Sequence, residues 1–458
     1  MRLSKTHPYR LTHLCIVALF CFAAWQPVSA QTPEESPAVD RAALVKLMRR
    51  HAQPLAFGDR DYDALLESIG AARIVMLGEG THGSAEFVAE RGRLTRRLIA
   101  EQGFGAVVLE AAWAPTLHLD AYIRGRGPAP DAATALRVYR RFPRWTWRNR
   151  EFAAVLDQFK AHNAARPPGE APVALYGFDL YESPQAIANV LAYLRRHHPN
   201  LLPQARRAYR CFAPYTAPAI DPQLYGRDVA RGTMPRCDKR IAAMQAEMAR
   251  IDAAAATPES FAAMMSARAV TAAEAYYRIL HAPDSDESSW NLRERYLADT
   301  LDILLARHGK IVVWAHNIHQ GDARATDQAL VDERSIGQLM RERHGEAATY
   351  LIGLTSHAGT VHAASGWATR DTTKTLRPAQ AESWPALFHE VGVPAFVLDL
   401  RRNPTLAEGL DVSIADRAIG VTYLPEDEPR SHYFKARMGR RYDALIHIDR
   451  TTALHPLN

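Results

Sequence analysis

The densest concentration of reactive side chains is Leu77-Gly78-Glu79-Gly80-Thr81-His82-Gly83. A carboxylate and an imidazole three residues apart in a glycine-rich turn can pair as a base and the acid that steadies its protonated form. A second cluster, Trp314-Ala315-His316-Asn317-Ile318-His319, sets two histidines behind an apolar run. Glu110 closes Val107-Val108-Leu109, where a carboxylate needs a partner because burying an unpaired charge is costly. Asp179 ends Tyr176-Gly177-Phe178 and can orient a histidine or bind substrate hydroxyls. Arg91 lies about two turns into the stretch after the first cluster, within reach of an acid. His357 and His362 follow another apolar run and either can line the same cleft. Acids and histidines converging in this way suit general acid–base activation of water, with an arginine or a second histidine stabilising an oxyanion.

The elements that must position these residues are short apolar strands separated by helical patterns. Strands are expected at Arg73–Leu77, Ala106–Leu109, Val173–Tyr176, Ile311–Trp314, Tyr350–Leu354, Ala395–Leu398, Gly420–Leu424 and Ala444–Ile448. Ser84–Ala100 carries Phe87, Leu94, Leu98 and Ile99 at helical spacing, and Ser183–Arg195 is helical too. This alternation predicts an α/β fold with a mainly parallel central sheet flanked by helices. The reactive clusters then fall at the carboxyl ends of strands, where open α/β sheets bind ligands. Residues 201–308 break the rhythm and read as a mostly helical insertion over the sheet. The α/β domain is thereby divided into 31–200 and 309–458.

Several alternatives are weighed against this reading. The three glycines match G-x-G-x-x-G, but Glu79 inside the loop would repel a pyrophosphate. No G-x-S-x-G elbow and no H-E-x-x-H occurs in the chain. A metal-dependent hydrolase using Glu79, His82, Glu110, His316 and His319 as ligands, and a non-catalytic envelope binding protein, are the competing functions. Trp145-Thr146-Trp147-Arg148, among further arginines, mixes stacking and charge as single-strand binders do. The charge balance favours a pocket wall or a solvated face there instead.

Residues 1–12 carry Arg2, Lys5 and Arg10 without an acid, 14–25 are apolar, and Val28-Ser29-Ala30 offers small residues for cleavage. Residues 1–30 therefore read as a signal peptide, and the protein is expected to be secreted, most simply to the periplasm. Cleavage removes three basic residues, so a formal charge of +6 falls to +3. That is a weak basis for nucleic-acid or membrane binding. With 458 residues, 47% hydrophobic and 23% charged, disorder and a polytopic membrane protein are excluded. Cys15 and Cys21 leave with the signal, and Cys211 and Cys237, separated by a segment that reads as a loop, are expected to form a disulfide.

Gly78-Glu79-Gly80-Thr81-His82-Gly83-Ser84-Ala85-Glu86-Phe87 resembles the G-E-x-T-H-G-x-x-E-F signature of the erythromycin esterase family. Leu109-Glu110, Tyr176-Gly177-Phe178-Asp179, Trp290-Asn291-Leu292-Arg293-Glu294-Arg295, Trp314–His319 and Tyr442-Asp443-Ala444-Leu445-Ile446 also look like segments of that family, in its order. The resemblance implies a metal-independent, cofactor-free hydrolase that opens a macrolactone or another carboxylic ester. It implies His82 as general base, with Glu79, Arg91, Glu110, His316 and His319 in the site, and a helical segment walling a deep cleft. The expected partner is a small ester, with no nucleic acid and no stable membrane insertion after cleavage.

Overall fold

The computed structural model describes residues 40–282 and 288–457. The expected signal peptide, Cys15 and Cys21 lie outside the described residues. Eight strands form one sheet in the spatial order Gln53–Pro54, Ala395–Asp399, Ala444–Ile448, Thr349–Thr355, Ile74–Leu77, Ile311–Trp314, Ala106–Ala112, Ala174–Asp179. The last six pair in parallel; Ala395–Asp399 runs antiparallel to both of its neighbours.

The alternation of side chains along each strand divides the core in two. Ile74, Met76, Val108 and Val313 face a layer that includes Val190, Met244, Met265 and Leu301. Val75, Leu77, Val107 and Trp314 face the opposite layer, with Leu66, Phe87, Leu98 and Phe152. Both faces are covered, which is why these strands read as unbroken apolar runs. The helices from Leu202–Ala208 to Ser289–His308 contribute to the first layer.

Two helices matter most for the site. Ala85–Gln102 starts immediately behind the first cluster and ends at Gly103, whose φ of +72° suits a glycine. Ser289–His308 begins at Ser288, whose hydroxyl accepts from the Asn291 amide at 3.1 Å. Its first turns point Arg293 and Glu294 into the protein.

Two expectations fail locally. Gly420–Leu424 is not a strand; its only ladder contact is a single bridge between Thr422 and Ala364. The run is apolar because Tyr423 is buried, and Pro425 prevents the chain from extending the pairing. The Cys211–Cys237 segment is not a plain loop, because it contains the helix Leu224–Ala230. That helix buries Tyr225 against Phe212, with ring centroids 4.7 Å apart. The Cα atoms of Cys211 and Cys237 lie 6.4 Å apart, a separation that a disulfide spans. Also unanticipated were the hairpin Ala358–Ala364/Asp371–Leu376 and the pair Ile414–Arg417/Tyr433–Ala436.

Candidate active site

Glu79 and His82 leave the carboxyl end of Ile74–Leu77 in a turn that two glycines make possible. A Cβ on Gly78 would lie 2.0 Å from Asn317 Oδ1, and one on Gly83 would lie 2.0 Å from the His362 carbonyl oxygen. Asn317 uses this closeness to join two strand ends. Its amide donates to the Glu79 carbonyl at 2.9 Å, and its side chain donates to the Leu354 carbonyl at 2.8 Å.

His82 Nδ1 lies 2.8 Å from Glu79 Oε1. A carboxylate only accepts, so Nδ1 donates to it, and in the neutral ring this leaves the lone pair on Nε2. The other Glu79 oxygen binds the Arg91 guanidinium, which also lies 4.6 Å over the Trp314 ring. Glu79 and Arg91 are buried, whereas 17% of the His82 side chain remains exposed. The dyad is thus fixed from behind and open in front.

Glu110 occupies the next strand end. Its Oε2 accepts from the His316 amide at 2.8 Å, and its Oε1 lies 3.0 Å from Arg293 Nη2 and 3.3 Å from His319 Nε2. Burial alone would raise this carboxyl, but His319, His82, Arg293 and the amide outweigh it and hold it well below the usual range. Glu110 is therefore a fixed anion. Of the two glutamates, it is Glu79 that reaches His82.

Arg293 gathers the remaining acids. It pairs with Asp179 through Nε at 3.2 Å and Nη2 at 2.6 Å, and Asp179 Oδ1 also accepts from the Leu180 amide. Both Asp179 oxygens are thereby engaged within the protein. Glu294 accepts from His319 Nδ1 at 2.6 Å, a second carboxylate–imidazole pair. Burial pushes the His319 imidazole down, and Glu294 with Glu110 more than restores it, so its affinity for a proton is raised. His319 Nε2 faces both Arg293, at 3.1 Å, and Glu110. Without a proton it accepts from Arg293, and with one it donates to Glu110. Trp290 stacks on His319 with centroids 4.7 Å apart.

Glu79, His82 and Arg91 thus form one linked set, and Glu110, His316, His319 and, through Arg293, Asp179 form a second; the rings of His82 and His316 bring the two together. His357 is not among them. It stacks flat on His389, with centroids 4.1 Å apart, beside Asp449. Trp145 is buried against His362, with centroids 5.2 Å apart. Arg293, Glu294 and Trp290 are functional-site residues that the sequence reading misses, although all three lie in the segment Trp290–Arg295. Among the described residues, no three His, Cys, Asp or Glu side chains converge to hold a metal ion.

The profile of the erythromycin esterase family matches residues 99–451. The Bacillus subtilis (strain 168) protein named "Putative hydrolase YbfO" is 27% identical over 136 residues, 29% of this chain and 28% of that protein's length. Three solved structures share the fold. A succinoglycan biosynthesis protein has a TM-score of 0.74 and 25% identity, covering 92% of this chain and all of that one. A Bacillus cereus protein has a TM-score of 0.74 and 20% identity, over 92% of this chain and 99% of that one. A mutant of the erythromycin esterase EreC, in its open conformation, has a TM-score of 0.64 and 17% identity, over 88% and 96%. A family match across most of the chain, on this fold and with these strand-end residues, places the protein in the erythromycin esterase family.

Proposed function

We propose that the protein is an exported carboxylic ester hydrolase in which His82 activates water. The observation that carries this reading is the Glu79–His82 contact of 2.8 Å, with the second imidazole nitrogen free and part of the ring open. Nε2 takes a proton from water as the oxygen attacks the ester carbonyl. Glu79, itself anchored by Arg91, stabilises the imidazolium that forms. The hydroxyl group released by ring opening or chain cleavage then receives the proton.

The substrate is a small ester, and a macrolactone is the specific case that family membership suggests. The helices of 201–308 wall one side of the cleft and select among esters. Residues 1–30 direct export to the periplasm; their basic start, apolar run and small-residue end support this. The test is mass spectrometry after incubation of the chain from Gln31 with macrolides and simpler esters, alongside His82→Ala. Gain of one water by a substrate, lost in the variant, is the expected result. Equal turnover by the variant would refute the role given to His82.

A further inference from the structure

His316 stands beside His82 with ring centroids 4.8 Å apart and planes inclined by 52°. Unlike His82, it has no free nitrogen. Its Nδ1 accepts from the Ile318 amide at 3.3 Å, so that atom carries no proton. Its Nε2 lies 3.2 Å from the Ile419 carbonyl oxygen and must donate to it. The ring is therefore the neutral Nε2–H tautomer, and both of its polar atoms are engaged by main chain. The same Ile419 carbonyl accepts the His82 amide at 3.2 Å, and the Ile419 amide donates to the Gly80 carbonyl at 2.9 Å. One crossing peptide thus ties the His82 turn to the His316 ring.

We propose that His316 and the main chain of Ile419 form a brace that holds His82 in place, with His316 acting as a positioning residue rather than a proton carrier or a metal ligand. The titratable groups facing the ring are His82, Glu110 and His319. Protonating His316 would turn an N–H of the ring against the Ile318 amide and add a cation between two other imidazoles. Burial first, and His82 next, push the imidazole well below its ordinary value against the pull of Glu110. A metal at either nitrogen would have to displace a main-chain hydrogen bond.

The structural part of this proposal stands without turnover; only its kinetic arm rests on the reading of His82 as base. The test is a ring-nitrogen NMR titration of histidine-labelled protein from Gln31, compared with His316→Gln to identify the His316 signal. Single His→Gln variants at other positions assign it by elimination should His316→Gln fail to fold. The expected signal is a neutral Nε2–H imidazole that does not move between about pH 5 and 8.5 or on addition of zinc. A signal that titrates in that range, carries its proton on Nδ1 or shifts with zinc would overturn the proposal.

In the kinetic arm, a glutamine amide can replace the donor to Ile419. His316→Gln should lose no more than about tenfold in kcat/KM and keep the midpoint of the acid limb, whereas His316→Ala should lose on the order of 10²-fold by misplacement. Equal losses with a displaced limb would make His316 a proton carrier. If no ester is turned over, the function proposed above fails while the spectra still decide the brace.

Discussion

Replacing Glu79 by glutamine keeps shape and volume, removes the charge and turns one acceptor into a donor. The glutamine carbonyl is then the one acceptor where two oxygens served His82 Nδ1 and Arg91. If it serves Arg91, the amide group faces Nδ1 as a donor, and the imidazole turns to the tautomer whose Nε2 bears hydrogen and cannot take a proton. Where a carboxylate behind a catalytic histidine is changed to its amide, the loss in turnover is on the order of 10⁴. A fall of about 10³–10⁴ in kcat/KM corresponds to about 4–5.5 kcal/mol of transition-state stabilisation. One buried donor is also left unmatched, which costs roughly 1–3 kcal/mol of stability. The assay is steady-state hydrolysis of whichever ester the wild type turns over, with circular dichroism and thermal melts alongside. A folded Glu79→Gln variant retaining more than a tenth of wild-type kcat/KM would refute the dyad.

Arg293→Ala strands the buried Asp179 and takes one of the partners of Glu110, and leaving a buried charge unpaired costs about 3–5 kcal/mol; a melt shifted by less than a degree would contradict this. His357 and His308 are pushed down to about 4, chiefly by burial and then by neighbouring cations or imidazoles. The unfolded chain then binds more protons between about pH 4 and 6.5, so stability rises with pH across that window and is lost on acidification. His357→Phe keeps the ring on His389 and should flatten this dependence in melts taken at several pH values; an unchanged slope would remove His357 from it. Reducing Cys211–Cys237 opens a loop of 26 residues and should cost roughly 3 kcal/mol in chemical denaturation. Identical curves with and without reductant would argue against the link.

The parallel strands were legible because burial on both faces demands continuous apolar runs, and their ends then located Glu79, Glu110 and His316 without any distance. The polar hairpin Asp371–Leu376 and the pair at Ile414–Arg417 were hidden, since exposed residues such as Thr372 and Thr373 dilute the alternation that marks a strand. Arg293 and Glu294 were hidden for a different reason. On a charged helix they resemble solvated surface residues, and only tertiary packing turns them inward to Asp179 and His319. The roles of His316 and His319 could not be separated by spacing either, because it is the partners of each ring nitrogen that distinguish them.

The most direct test of hydrolysis by His82 is ester turnover by wild type and His82→Ala at matched protein concentration, with intact-protein mass recorded during the reaction. Water activation by His82 predicts product one water heavier than substrate from the wild type, none above background from the variant, and no acyl group on the protein at any time. Product from the folded variant, or a transient acyl-protein, would contradict it.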